Sequence, residues 1–172
     1  MTSPNLLIRD ICDEDHQAIT EVLVTAFEQQ NEADLVEQLR INNALVIERI
    51  AEINGVIVGY VAFSQVTSEP ATDSLLLGLA PVGVAPDYQH KGVGHALVED
   101  GLRACRQMDP KSVIVLGDPG YYARFGFEPA SRYGVSWAHA DAGDAFQLIH
   151  MGNHNHEPPR KIHFHPAFDA VS

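Results

Sequence analysis

Six consecutive residues, Gln89-His90-Lys91-Gly92-Val93-Gly94, carry the strongest local chemical signal in the chain. They stand between a long apolar segment and an amphipathic stretch, where a strand gives way to a helix. Glycines there allow a ligand close to the main chain, and the first-turn amides of a helix have no partners inside it. Those amides and the helix dipole together stabilise a phosphate. Lys91 either adds a point charge or points at water. Read by itself, the segment also suits an ordinary strand-to-helix turn. Two familiar phosphate loops are excluded. The pattern G-x-x-x-x-G-K-[S/T] is absent, and Gly92-Val93-Gly94 runs into His95, Ala96 and Leu97, so the third glycine of a dinucleotide fingerprint is missing.

The other reactive side chains carry weaker signals. Cys105 falls on the apolar face of a predicted helix, where cysteine acts as a small hydrophobe. Cys12 has no clear base beside it, so neither cysteine is expected to be acylated. Six of the nine histidines lie in the last 34 residues: His139, His150, His154, His156, His163 and His165. The pairs His154-x-His156 and His163-x-His165 would each share one side of an extended segment, a geometry open to zinc. No cysteine accompanies them and no zinc spacing is recognisable. They read as structural or solvent-facing, and no metal is expected.

The elements that position the six-residue signal follow from periodicity and turn residues. Leu6 to Ile11 reads as a strand, and Asp13 or Asp15 caps a helix towards Phe27 with Ile19, Val22, Leu23 and Phe27 on one side. Leu35, Val36 and Leu39 mark a second helix over 33–39. Ala44 to Ile53 and Val56 to Val66 read as strands joined at Asn54-Gly55, a tight hairpin dipeptide, and 67–74 as a polar loop. Leu75 to Val84 is apolar but broken by Gly78, Pro81 and Gly83, which argues for an edge, a splay or a bulge. The next helix shows Val93, Leu97, Ala104, Cys105 and Met108 at helical spacing and ends at Asp109-Pro110. Val113 to Leu116 is a short strand of parallel or central type. A helical turn through Tyr121, Tyr122 and Phe125 follows, closed by Gly126. Ala145 to Met151 is a late strand and Asn153 to Arg160 a loop.

With 172 residues, no internal repeat and no dividing linker, one α/β domain is expected. No apolar run spans a bilayer and no secretory signal is visible at the start, so a cytoplasmic location is the default. The net charge of −12 argues against a general nucleic-acid binder. Residues 1–80 hold 13 acidic and 3 basic side chains, whereas 81–172 hold 10 and 8. The acidic half either meets a cationic partner or simply faces water.

Gln89-x-x-Gly92-x-Gly94 matches in full the [Q/R]-x-x-G-x-[G/A] pyrophosphate loop of the GNAT superfamily (GCN5-related N-acetyltransferases), which the chain resembles. Pro81 to Tyr88 looks like the family's fourth strand and its lead into that loop. Tyr122-Ala123-Arg124-Phe125-Gly126-Phe127 resembles the family's Y-x-x-x-G-F element. The stretch from Val115 to Ala130 looks especially like the YhbS-type bacterial branch. The resemblance is sharp over 81–130 and extends by element order over 5–151; it says little about the C-terminal extension 152–172.

The resemblance implies a GNAT fold for the single domain 1–172: one mixed central β-sheet splayed after the fourth strand and flanked by helices. Acetyl-CoA or another acyl-CoA would be the donor, its pantetheine arm on Val82, Gly83 and Val84 and its pyrophosphate on the amides of Gln89, His90, Lys91, Gly92, Val93 and Gly94. Backbone amides explain how an acidic protein holds an anionic cosubstrate. A primary amine would attack the thioester directly in a ternary complex, an amide near Val84 would stabilise the oxyanion, and Tyr122 would protonate the departing thiolate. Tyr121 is the neighbouring competitor, and a packing role suits Tyr122 as well. The base varies in this superfamily; Glu28, Glu32 and Glu69 are candidate carboxylates, each equally readable as a surface residue. Acceptor specificity would come from roughly Phe27 to Asp34 and from 67–74. A non-catalytic acyl-CoA sensor and an O-acyltransferase are the alternatives on the same fold. Dimers are frequent in the superfamily.

Overall fold

The computed structural model describes residues 5–152 and 160–171. They fall into two compact units: Met1–Phe63 with Ala80–Ala104 and Pro166–Ser172, and Ser64–Leu79 with Cys105–His165.

In the first unit, β1 (Leu6–Asp10) pairs antiparallel with β2 (Leu45–Ile53), Leu6 opposite Ile53 and Asp10 opposite Arg49. Between them run α1 (His16–Phe27) and α2 (Asn31–Ile41). Asn54 (φ 52°) and Gly55 (φ 81°) turn the chain into β3 (Val56–Gln65), as the dipeptide predicts. Alternation along β3 sends Tyr60 and Ala62 into a core with Ile19 and Leu23 of α1 and Ala33 and Val36 of α2. Gly59 and Phe63 face the other way, against α3 (Val93–Gln107): a Cβ on Gly59 would lie 2.8 Å from Leu97, and one on Gly101 would run into the Phe63 ring. Tyr60 donates its hydroxyl to Glu48 at 2.6 Å, and Arg40 reaches the same carboxylate oxygen at 2.6 Å. Burial pushes the Tyr60 phenol well up. The C-terminal 3-10 turn Pro166–Ala170 packs on α2.

Asp15 does not cap α1 through its side chain. Its buried carboxylate accepts from the Cys12 N–H at 2.8 Å and from both terminal nitrogens of Arg9 at 2.8 and 3.1 Å. Arg9 also holds Glu52 at 2.9 Å. The paired guanidinium holds the Asp15 carboxyl well below the ordinary carboxylate range. This stabilisation is therefore present above the unfolded value of roughly 4 and is lost as pH falls through the lower folded value. Asp15→Asn should lower Tm at pH 7, and the gap to the wild type should narrow in thermal melts taken below pH 4. A gap independent of pH would show that the ion pair does not contribute.

The second unit contains β4 (Thr67–Glu69), the beginning of β5 (Leu76–Val84), β6 (Ser112–Leu116) and α4 (Pro119–Tyr122). β7 (Glu128–Pro129), β8 (Val135–Trp137), β9 (Phe146–His150) and β10 (Arg160–His163) complete it. Val66, Leu76, Ile114, Phe146, Leu148 and Ile162 are among its core residues. Hydrogen bonds link the strands in the order β1-β2-β3-β5-β6-β9-β7, with a second sheet β4-β10-β8. The larger sheet is mixed: β5 and β6 are parallel, whereas β6–β9 and β7–β9 are antiparallel.

Three sequence expectations change. β4 occupies the stretch read as a loop because β10 offers it an antiparallel ladder, Lys161 to Glu69 and His163 to Thr67, which local pattern does not encode. With β4 present, the family's fourth strand is β5. Pro81 lies inside β5 beyond the end of its ladder to β6, which fits the splay among the three readings of edge, splay or bulge. The ladder to β6 joins Leu76, Leu77 and Gly78 to Ser112, Val113 and Ile114, so the missing proline N–H falls past its end. Arg160 begins β10 instead of closing a loop, and residues 153–159 lie outside the described ones. Met108 follows the end of α3 and is exposed, not part of its apolar face.

Candidate functional site

The strand-to-helix junction is built by short-range rules. After Val84 a 3-10 turn, Pro86–Tyr88, reverses the chain, with the Tyr88 N–H on Ala85 O at 2.8 Å. The Gln89 side-chain amide then reaches back and donates to Val84 O at 2.9 Å, closing the loop on the strand it left. His90 (φ 62°) and Gly92 (φ 85°) both take left-handed backbone, and a Cβ on Gly92 would meet nothing within 4 Å. Val93 is buried and anchors the helix start, while His90, Lys91 and Gly92 are exposed. The structure therefore brings Gln89 to Gly94 together as an open turn on the N-terminus of a 15-residue helix. A helix start presents unpaired amides and the positive end of its dipole, which suits a diphosphate.

Two details differ from a simple row of donors. The Gln89 backbone N–H is directed at Pro86 O at 3.3 Å. Lys91 curls back, its Nζ donating to Asp87 O at 3.0 Å and lying 5.8 Å from the centre of the Tyr88 ring. Lys91 is folded onto its own loop, an arrangement that neither reading, a point charge or a side chain pointing at water, describes. Val82 and Val84 are half-buried and Gly83 is buried between them. On the Gly83 side α1 closes in, with Phe27, Leu23 and Ala26 nearest to the missing Cβ. This contact joins residues far apart in the chain and has no local signal in the sequence.

In the second unit, Asp118 caps α4 by accepting the Gly120 N–H at 3.0 Å. Tyr122 is buried at the end of that turn, 8% exposed, edge-on to Tyr121 and Phe127 with ring centres at 5.0 and 5.7 Å. A Cβ on Gly117 would lie 2.5 Å from its ring, so glycine is what lets the ring settle on the backbone there. Burial first, and the neighbouring Tyr121 second, push the Tyr122 phenol up to about 12. It is a neutral donor throughout the physiological range. Tyr121 is half-buried, and its ring lies against the Arg124 guanidinium at 4.5 Å.

The remaining candidates are placed as follows. Glu28 ends α1 in left-handed backbone (φ 56°). Glu32 is buried and accepts from the Gln29 amide at 2.9 Å. Glu69 is exposed on β4, with His163 Nε2 3.3 Å from its Oε1. The Cys12 thiol is raised by its hydrogen bonds to Glu14 and Asp15, which disfavours the thiolate a nucleophile needs. Cys105 is buried. His139 packs on Trp137 and His150 on Tyr133; His154 and His156 lie outside the described residues. Among the described residues no three His, Cys, Asp or Glu side chains are grouped to hold a metal ion.

The described residues thus form a mixed sheet with an open turn at the start of the helix after β5. Residues 7–130 match the model of the acetyltransferase (GNAT) domain family. The chain is 35% identical over 149 residues to the uncharacterized N-acetyltransferase YhbS of Escherichia coli K12, covering 86% of this chain and 89% of that protein. It is similar to the crystal structure of E. coli YhbS in complex with CoA, with a TM-score of 0.90, 29% identity and coverage of 100% and 96%. A GNAT acetyltransferase of Brucella melitensis in complex with acetyl-CoA matches with a TM-score of 0.81, 31% identity and coverage of 97% and 100%. The chain belongs to the GNAT acetyltransferase superfamily, in its YhbS-like branch. Among the described residues no helix is long and apolar enough to cross a membrane.

Proposed function

We propose that this chain transfers an acetyl group from acetyl-CoA to a primary amine by direct attack in a ternary complex, with residues 1–172 acting as one N-acetyltransferase domain. The observation that carries this reading is the open turn Gln89–Gly94 on the N-terminus of α3, directly after β5, in a GNAT chain. The amides of His90 to Gly94 take the pyrophosphate and the main chain of Val82, Gly83 and Val84 takes the pantetheine arm. Gln89 keeps the turn closed through Val84 O. The nitrogen of the neutral amine bonds to the thioester carbonyl and loses its proton to water, an amide near Val84 stabilises the oxyanion, and the C–S bond breaks as Tyr122 donates to the sulfur and regains its proton from water.

The acceptor is a cation in this reading. All three arginines of residues 1–80 are already committed to carboxylates: Arg9 to Asp15 and Glu52, Arg40 to Glu48, and Arg49 to Asp10 and Asp100. The acidic excess of this segment is not offset within it. Coulomb steering is screened over about 8 Å at physiological salt, so the acceptor KM should rise with ionic strength. An amine screen with acetyl-CoA, read by mass spectrometry, finds the acceptor, and a salt series on the best hit tests its charge. Acetyl-CoA binding without turnover on any amine would favour a sensor, and a salt-independent KM would remove the cationic acceptor alone.

A further inference from the structure

The last turn of α1 closes on β5 at Gly83. A Cβ placed there would lie 3.1 Å from Phe27 Cε2, 3.2 Å from Leu23 Cδ2 and 3.4 Å from Ala26 Cβ. Apolar heavy atoms in contact stand about 4 Å apart, so a methylene chain cannot pass between helix and strand at this point. The two larger side chains differ in what they do next. Leu23 is fully buried in the core with Ile19 and Tyr60. Phe27 touches the strand with one ring edge yet remains 37% exposed, and the helix ends immediately after it at Glu28. The fold thus leaves an apolar ring open beside the strand segment Val82–Val84.

From this we infer that Phe27 sets the length of the acyl group the protein accepts, admitting acetyl and excluding long chains. The inference rests on the reading above, in which the thioester lies along Val82–Val84. An acetyl methyl ends at the ring edge. A longer chain on that side meets the ring and, behind it, a strand with no gap. If Phe27 only holds α1 to β5, trimming it alters stability but not the preference among acyl chains.

Calorimetric titration with CoA, acetyl-CoA and octanoyl-CoA needs no known acceptor. The wild type should bind acetyl-CoA more tightly than octanoyl-CoA. One methylene in an apolar pocket is worth roughly tenfold or more, so Phe27→Ala should raise the octanoyl-to-acetyl affinity ratio by at least about tenfold. Phe27→Leu should fall between, and it carries the test if the alanine variant does not fold. An unchanged ratio in both variants, or a wild type that binds octanoyl-CoA as tightly as acetyl-CoA, overturns the inference and leaves the transferase reading standing. Failure of the wild type to bind CoA at all overturns both.

Discussion

Tyr122→Phe is expected to lower kcat by about 10²-fold, the low end of general-acid effects. The substitution keeps the ring that lies on Gly117 and edge-on to Phe127, so packing is preserved and only the proton donor is lost. The low end is appropriate because burial holds the phenol at about 12. That makes it a weaker donor than an ordinary tyrosine, although it stays neutral and hydrogen-bond competent at every working pH. Affinity for acetyl-CoA should change far less than kcat, because the hydroxyl acts on the sulfur only as the C–S bond breaks. Single-turnover rates are the measurement of choice, since slow product release would hide the effect. Tyr121→Phe is the control, its ring already engaged by Arg124. A collapse in Tyr121→Phe with full activity in Tyr122→Phe would exchange their roles. Full single-turnover activity in both would show that neither tyrosine serves the departing thiolate.

Gly92→Val should weaken CoA binding by about tenfold or more, for two separable reasons. With φ at 85°, valine at position 92 is strained by roughly 1–2 kcal/mol; a turn that relaxes out of this conformation must give that back on binding, and about 1.4 kcal/mol is tenfold in affinity. The side chain would also project into space where the protein has no atom within 4 Å, the space a diphosphate on the turn would fill. Gly92→Asn separates the two, because asparagine tolerates left-handed backbone but still adds volume. Equilibrium titration with CoA should show both variants weakened. Weakening in the valine variant alone would assign the effect to strain. Wild-type affinity in both, with folding intact, would remove the pyrophosphate from this turn.

Local sequence specifies only what a short stretch of chain can hold. The turn at 89–94, the Asn54-Gly55 hairpin and the α4 turn closed by Gly126 were legible because each is specified within a few residues. A glycine or asparagine supplies positive φ, an aspartate caps Gly120, and a buried anchor such as Val93 follows at once. The boundaries of α1 and β9 were legible for the same reason, through apolar periodicity and adjacent turn residues. Which distant segments meet is set by long-range pairing and packing. β4 is a strand because β10 lies beside it, and β10 in turn pairs in parallel with β8. Asp13 or Asp15 reads as the helix cap, and the Asp15 carboxylate instead takes Arg9 and the Cys12 N–H, the first of which no local pattern names. Phe27 looked like one more apolar residue on a helical face until Gly83 of β5 was placed under its ring edge. Polar or β-poor segments such as 67–69 and 160–163 carry almost no period of their own, and a lone charge or ring does not name its partner. Their state is set by backbone pairing and packing across long sequence separations, a form of specification that local pattern does not contain.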